Sequence, residues 1–231
     1  EVLLKSLVCG FKSKGISVSL PSLKPKTMLG EMTDLIATIK KTGLTFAPEA
    51  ASERLRRIIG KDFAEDEFFK TLEKSYAAGY QHVKLYFMIG LPFEEQQDLD
   101  GLVDFCKRVS QMRRLVSKWP ALVNVSVNTM IPKPHTPLQW FSMMDLDRMR
   151  GKQDYLRSLM KNRNLKIGFH NCLMSFLEGV FARGDRRLAP VIACAFRKGC
   201  RFDGWDEHFK FQLWEEAFRE CGIDPKVYLR E

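Results

Sequence analysis

The sequence has no run of about 18 apolar residues, so it encodes no membrane-spanning helix. It has no CxxC pair: Cys9, Cys106, Cys172, Cys194, Cys200 and Cys221 are scattered. Such scatter fits reduced thiols in a cytoplasmic protein better than a disulfide framework. No GxGxxG opens any helical segment, which argues against a dinucleotide site of the Rossmann type. Repeats and low-complexity tracts are absent. The first residues, Glu1-Val2-Leu3-Leu4-Lys5, carry neither an initiator Met nor a signal-peptide layout, and they start inside what reads as a helix. The expectation is a piece of a longer protein.

What is present is globular. Of 231 residues, 45% are hydrophobic and 28% charged, enough apolar content for a sizeable core. The net charge of +9 favours an anionic ligand or partner, with a solvated basic surface as the plainer explanation.

The organising stretch is Val83-Lys-Leu-Tyr-Phe-Met-Ile-Gly90-Leu-Pro92, an apolar, β-branched and aromatic run that stops at Gly-Leu-Pro. The acidic helix start Glu94-Glu95-Gln96-Gln97-Asp98 follows it, so the step is strand, turn, helix. Before it come a basic helix end over 1–14 closed by Gly15, a short strand Ile16–Leu20, a loop Pro21–Pro25 and a helix Glu31–Lys41. A second strand, Leu44–Pro48, leads through the loop Glu49–Ser52 into helices over Glu53–Ile59 and Ala64–Gly79. After the organising strand, a helix is expected from Glu94 to Lys118 and a strand over Val123–Asn128. The loop Ile131-Pro-Lys133-Pro-His135-Thr-Pro137 follows. A charged helix Asp145–Asn162, a short strand Leu165–His170 and an aromatic-rich helical region complete the chain.

Strands alternating with helices call for an α/β fold with a parallel sheet. Four strands up to residue 128 are too few for a complete eight-stranded barrel, so the expectation is a partial barrel over residues 1–143. A mostly helical C-terminal extension over 144–231 follows it. Parallel strands bring Pro21-Ser22, Pro48-Glu49, Gly90-Leu91-Pro92 and Pro132-Lys133-Pro134 to one sheet edge, where such folds bind ligands. There a carboxylate such as Glu49 can accept both protons of a ribose diol. A lysine such as Lys61 can meet a ligand carboxylate, and the bare backbone after Gly90 can bond a planar base.

The run Gly43-Leu-Thr-Phe-Ala-Pro-Glu49-Ala-Ala-Ser52-Glu-Arg54-Leu resembles the radical SAM superfamily, as do Val83–Pro92 and Pro132-Lys-Pro-His-Thr-Pro137-Leu-Gln-Trp140. The chain resembles more closely the cobalamin-binding radical SAM subgroup. Ser19-Leu-Pro-Ser-Leu23, Arg183-Gly-Asp-Arg-Arg187 and Phe202-Asp-Gly-Trp205 also fit that subgroup. The resemblance implies a partial TIM-type (β/α)6 barrel, of which this chain holds roughly the third to sixth strands. It implies that Glu49 lies on the ribose of S-adenosylmethionine with Ser52 as its loop neighbour. Lys61 would stand near the methionine carboxylate, and Gly90 and Leu91 would present backbone to adenine. Tyr86 stands where several relatives carry an acidic residue.

The superfamily's CxxxCxxC motif does not occur in this chain. The resemblance therefore implies a parent polypeptide that supplies the ligands of a [4Fe-4S] cluster from outside it. Such an enzyme cleaves S-adenosylmethionine reductively to a 5′-deoxyadenosyl radical and acts on a substrate the sequence does not name. Cobalamin in the parent follows only from the subgroup. Two alternative readings stand beside it: an RNA-modifying enzyme of the methylthiotransferase type, motivated by the charge, and a non-catalytic degenerate barrel acting as a binding module. The basic helix positions Lys107, Arg108, Arg113, Arg114 and Lys118 lack an aromatic stacking platform, so RNA is not favoured as a partner.

The plainer roles are also on view. Glu49 can stabilise the helix that follows it, and Ser52 can cap that helix. Lys61 can be a solvent lysine, and Lys84 can line a solvated rim. His170-Asn171-Cys172 is a poor metal set without further donors, and Asp185 points to a local ion-pair turn within Arg183–Arg187.

Overall fold

The computed structural model describes residues 43–230, together with residues 6, 7, 10, 11 and 14. Residues 6, 7, 10 and 11 are helical, inside the helix expected over 1–14. The expected strand Ile16–Leu20, loop Pro21–Pro25, helix Glu31–Lys41 and Ser19–Leu23 stretch lie outside the described residues.

Four strands, β1 (Leu44–Glu49), β2 (His82–Ile89), β3 (Leu122–Thr129) and β4 (Leu165–Phe169), form one all-parallel sheet in the order β1-β2-β3-β4. Helices α1 (Glu53–Ile58) and α2 (Glu65–Ala77) link β1 to β2. Helix α3 (Gln96–Met112) links β2 to β3, and α4 (Leu146–Leu159) links β3 to β4. Parallel neighbours cannot be joined by a tight hairpin, and each crossover here is helical. The expected α/β class with a parallel sheet and flanking helices is what forms.

The period of two sorts each strand into faces. On β2, Val83, Leu85, Phe87 and Ile89 are buried, whereas Lys84 is exposed and Tyr86 and Met88 are half-buried. The buried set carries the helices. The Phe46 ring meets Phe68 of α2 edge-on at 5.1 Å, and Phe87 meets Phe105 of α3 at 5.9 Å. Leu72, Leu102, Val109 and Cys106 fill the space between.

The opposite face is polar. Thr45 pairs in register with Lys84. The amide of Leu122 donates to Gln81 and that of Val123 to Asn164. In a parallel ladder an N–H bonds the carbonyl just before its partner residue. These bonds set Asn124 beside Lys84, Ser126 beside Tyr86, and Lys166 beside Asn124.

Two helix ends differ from expectation for local reasons. Helix α3 begins at Gln96 rather than Glu94, because Glu95 and Asp98 form a reciprocal capping box and the Glu95 amide donates to Asp98 Oδ2 at 2.8 Å. It stops at Met112 and gives way to a 3-10 turn Arg113–Leu115 instead of reaching Lys118. Arg113 Nη1 donates to the Trp119 carbonyl at 3.0 Å and closes that turn, while Pro120 disfavours a helical Trp119.

The described chain divides into two compact units. The first comprises 43–88, Phe93–Asn128 and Tyr155–Gly168, and the second comprises Ile89–Pro92, Thr129–Asp154 and 169–230. The second holds α5 (Cys172–Arg183), α6 (Ala189–Arg197) and α7 (Phe211–Glu220), in the region expected to be helical. Met149, Val180, Val191, Ala195 and Ala217 form its centre, and Phe181 meets Trp214 edge-on at 5.2 Å. Arg183 is tied to five backbone carbonyls. Its Nε donates to Tyr228 at 2.7 Å, Nη1 to Pro132, Gln139 and Phe141 at 3.3, 3.0 and 3.1 Å, and Nη2 to Arg230 at 2.7 Å.

Candidate functional site

Strand β1 ends on a residue in an unusual conformation. Glu49 has φ +64°, in the left-handed region that non-glycine residues seldom occupy. Holding a glutamate there costs on the order of 1–3 kcal/mol, and such outliers cluster at ligand sites. The conformation coincides with a register irregularity between Phe46 and Glu49. The carboxylate is anchored: Lys61 Nζ donates to Glu49 Oε1 at 2.5 Å, with the side chains 22% and 35% exposed for Glu49 and Lys61. Both groups are thus reachable from solvent, and Oε2 of Glu49 is not engaged in that bond.

Ser52 caps α1, its Oγ accepting from the Leu55 amide at 3.4 Å. The capping role weighed from the sequence is therefore present. Between Glu49 and Ser52, Ala50 and Ala51 are buried. The Ala51 carbonyl accepts a hydrogen bond from Arg56 Nη1. Arg56 is 1% exposed; its guanidinium carbon lies 4.3 Å from the Phe63 ring centroid and Nη2 lies 3.6 Å from Glu65. Its Nε has no partner among the described residues. Arg54 ties the same helix to the start of α3, donating to the Phe93 carbonyl at 2.9 Å and to Asp98 Oδ2 at 2.5 Å.

Arg54 and Arg56 were given no role from the sequence. A signal was available for Arg56. It lies beside Leu55 and three residues before Ile59, on the inward stripe of α1, where an arginine needs internal partners.

Tyr86 is half-buried on the polar face of β2, and Lys84 Nζ sits 4.7 Å from its ring centroid. The ammonium therefore leans along the strand toward its C-terminal end. No carboxylate among the described residues pairs with Lys84.

Gly90 and Leu91 belong to the second unit. Gly90 has φ +80°, and a Cβ built there would meet Met144 Cε at 2.8 Å. Glycine is thus required twice over, by backbone and by the close approach of Met144. Leu91 is 4% exposed, so any ligand contact of this residue is through its backbone.

Other residues singled out from the sequence are engaged locally. Lys133 pairs with Glu178 at 2.6 Å. His170 Nδ1 is 2.8 Å from Ser175 Oγ, Asn171 caps α5 and Cys172 is buried. Arg187 pairs with Asp185 at 2.7 Å, the ion-pair turn anticipated for that run, and this pairing holds the Asp185 carboxyl below its usual range. On α3, Lys107 pairs with Asp104 at 3.5 Å and Arg108 with Glu65 at 2.5 Å. Among the described residues no group of three or more His, Cys, Asp or Glu could hold a metal ion, and no helix is long and apolar enough to cross a membrane.

No protein-family model matches the chain. The chain is similar to an uncharacterized protein of Methanocaldococcus jannaschii, with 34% identity over 187 residues. The match covers 80% of this chain and 39% of that relative, so the chain spans about two fifths of the length of the protein it resembles.

Proposed function

We propose that this chain is the C-terminal part of the catalytic barrel of a radical SAM enzyme of the cobalamin-binding subgroup. On this reading the parent polypeptide cleaves S-adenosylmethionine reductively, giving a 5′-deoxyadenosyl radical. The observation that carries the reading is Glu49. A glutamate held at φ +64° on the C-terminal end of a parallel strand, and fixed by Lys61 at 2.5 Å, is a preformed polar contact at the edge where such sheets bind ligands.

The pair suits the two ends of S-adenosylmethionine. Lys61 occupies one oxygen of Glu49 and leaves the other to accept from a ribose hydroxyl. The lysine retains two further donors for a carboxylate. Ser52 caps α1 and Arg56 clamps the Ala51 carbonyl, so the loop carrying these groups is ordered before a ligand arrives.

The cysteines do not fit the cluster such an enzyme needs. Cys106, Cys172, Cys194 and Cys200 are buried and Cys221 half-buried, and none joins a metal-holding group among the described residues. The cluster ligands, like any cobalamin domain, are assigned on this reading to other parts of the parent polypeptide. Engagement of Lys107 and Arg108 by acidic neighbours lends no support to an RNA-binding face.

The test uses the isolated chain and the parent, both reconstituted anaerobically with iron and sulfide. The isolated chain is expected to bind S-adenosylmethionine poorly and to show no [4Fe-4S] spectrum. The parent is expected to release 5′-deoxyadenosine, with KM for S-adenosylmethionine raised roughly tenfold by Glu49→Gln. A [4Fe-4S] spectrum from the isolated chain overturns the placement of the cluster ligands. A reconstituted parent that does not cleave S-adenosylmethionine overturns the reading.

A further inference from the structure

An all-parallel sheet is ordinarily covered on both faces by apolar layers. Among the described strands only one face is built for that. The strand positions of the other face are Thr45, Ala47 and Glu49; His82, Lys84, Tyr86 and Met88; Leu122, Asn124, Ser126 and Asn128; Lys166 and Gly168. All are half-buried or exposed. A face of this composition suits contact with water better than a packed apolar core.

Its charge is one-sided. It holds Lys84 and Lys166, and its one carboxylate at those strand positions, Glu49 at the end of β1, is paired with Lys61. The register puts them in one cross-strand row, Thr45–Lys84–Asn124–Lys166, the lysines about 10 Å apart at two strand spacings. The Lys84 ammonium is 4.7 Å from the Tyr86 ring centroid, carried toward the C-terminal end of the strand rather than out over its start. Among the described residues neither lysine has an acidic partner, whereas Lys61, Lys107, Lys133 and Lys198 each have one. The row also supplies neutral hydrogen-bonding side chains, the Asn124 amide between the lysines and the Ser126 hydroxyl one pleat further along.

We propose that Lys84, supported by Lys166, receives the negatively charged group, carboxylate or phosphate, of the small molecule on which the enzyme acts. The substrate class is thus an organic anion, and Lys84 is a specificity-determining residue. This rests on the reading that the polar face lines the reaction chamber of a radical SAM barrel. The anion site itself stands on the row of residues described above. Tyr86 holds the ammonium by its ring face, Asn124 and Ser126 take the ligand's neutral polar groups, and the lack of an acidic partner for either lysine among the described residues leaves the charge for the ligand to neutralise.

The experiment is a titration of the chain with its lysines reductively dimethylated with carbon-13, followed by NMR, using inorganic phosphate and, separately, acetate. The Lys84 signal is identified by its loss in Lys84→Gln. It is expected to shift saturably, and the two anions separate phosphate from carboxylate preference. Equilibrium dialysis of phosphate and acetate on unmodified protein is expected to show binding weakened about tenfold or more by Lys84→Gln, less by Lys166→Gln, and largely kept by Lys84→Arg. A Lys84 signal that moves no more than that of Lys70 overturns the inference, as does unchanged binding by Lys84→Gln. The reconstituted parent separates the two claims. Cleavage of S-adenosylmethionine without anion binding at Lys84 removes this inference alone. Anion binding at Lys84 in a parent that does not cleave S-adenosylmethionine removes the radical reading and leaves the anion site in place.

Discussion

Replacing Arg56 by Met tests whether the buried guanidinium is a clamp or a burden. The change keeps length and apolar bulk while removing the charge. It abolishes the hydrogen bond to the Ala51 carbonyl, which belongs to a residue 8% exposed. A bond from a charged donor contributes about 1.5–3 kcal/mol. The contact with Phe63, at 4.3 Å, adds roughly 0.5–2 kcal/mol. The pairing with Glu65 adds little, about 0–1 kcal/mol, because Glu65 is 30% exposed and keeps Arg108 as partner. Against these stands relief from burying an unpartnered Nε, roughly 1–3 kcal/mol. The expected outcome is a net loss of about 2 kcal/mol, read as a lower urea midpoint at unchanged slope. Amide exchange over Ala50–Ser52 is expected to accelerate as well. A variant as stable as the parent sequence, with protection of that loop intact, would refute the clamp.

Stability is expected to fall at alkaline pH. Tyr76 is buried, donates to the Val109 carbonyl at 2.8 Å, and burial pushes its pKa well above the ordinary 10.0; burial likewise raises the Cys106 thiol above 9.0. In both cases the folded pKa is the higher, so the stability contribution is complete below about pH 9 and is lost as pH rises beyond it. Urea midpoints measured at pH 8 and pH 10.5 check this, and Tyr76→Phe should flatten the fall while costing about 1 kcal/mol at neutral pH. Arg183→Lys is expected to lower stability by about 2–4 kcal/mol, since an ammonium cannot reproduce a planar fork serving five carbonyls; thermal melting reads it. Gly90→Ala should destabilise by about 1–3 kcal/mol through the positive φ and the Met144 contact, and pairing it with Met144→Ala should recover the steric part only.

Much of the sheet was legible because strand chemistry is local. Val83–Ile89 and Val123–Asn128 alternate or run apolar between clear turn signals, and the strands formed within a residue of those limits. Ser52 as a cap and Asp185–Arg187 as an ion-pair turn were legible for the same reason. What escaped depends on distant partners. Nothing around Glu49 announces a positive φ, since the residue is not glycine and the register shift involves β2. The row linking Lys84 to Lys166 spans three strands and appears only once the ladder fixes which residue stands beside which. Arg183 lies in the run read from the sequence as a local ion-pair turn, yet its own acceptors lie 42 to 51 residues away.

That separation has a consequence for how the second unit is made. The carbonyls of Pro132, Gln139 and Phe141 wait for a side chain synthesised more than forty residues later, and Tyr228 and Arg230 are translated later still. The loop after β3 therefore cannot be secured while the chain is emerging from the ribosome in N-to-C order. Its closure is a late folding event, completed only when the Pro225–Leu229 turn has left the exit tunnel. A nascent chain stalled before that turn should keep the loop open to protease after the sheet has already become resistant.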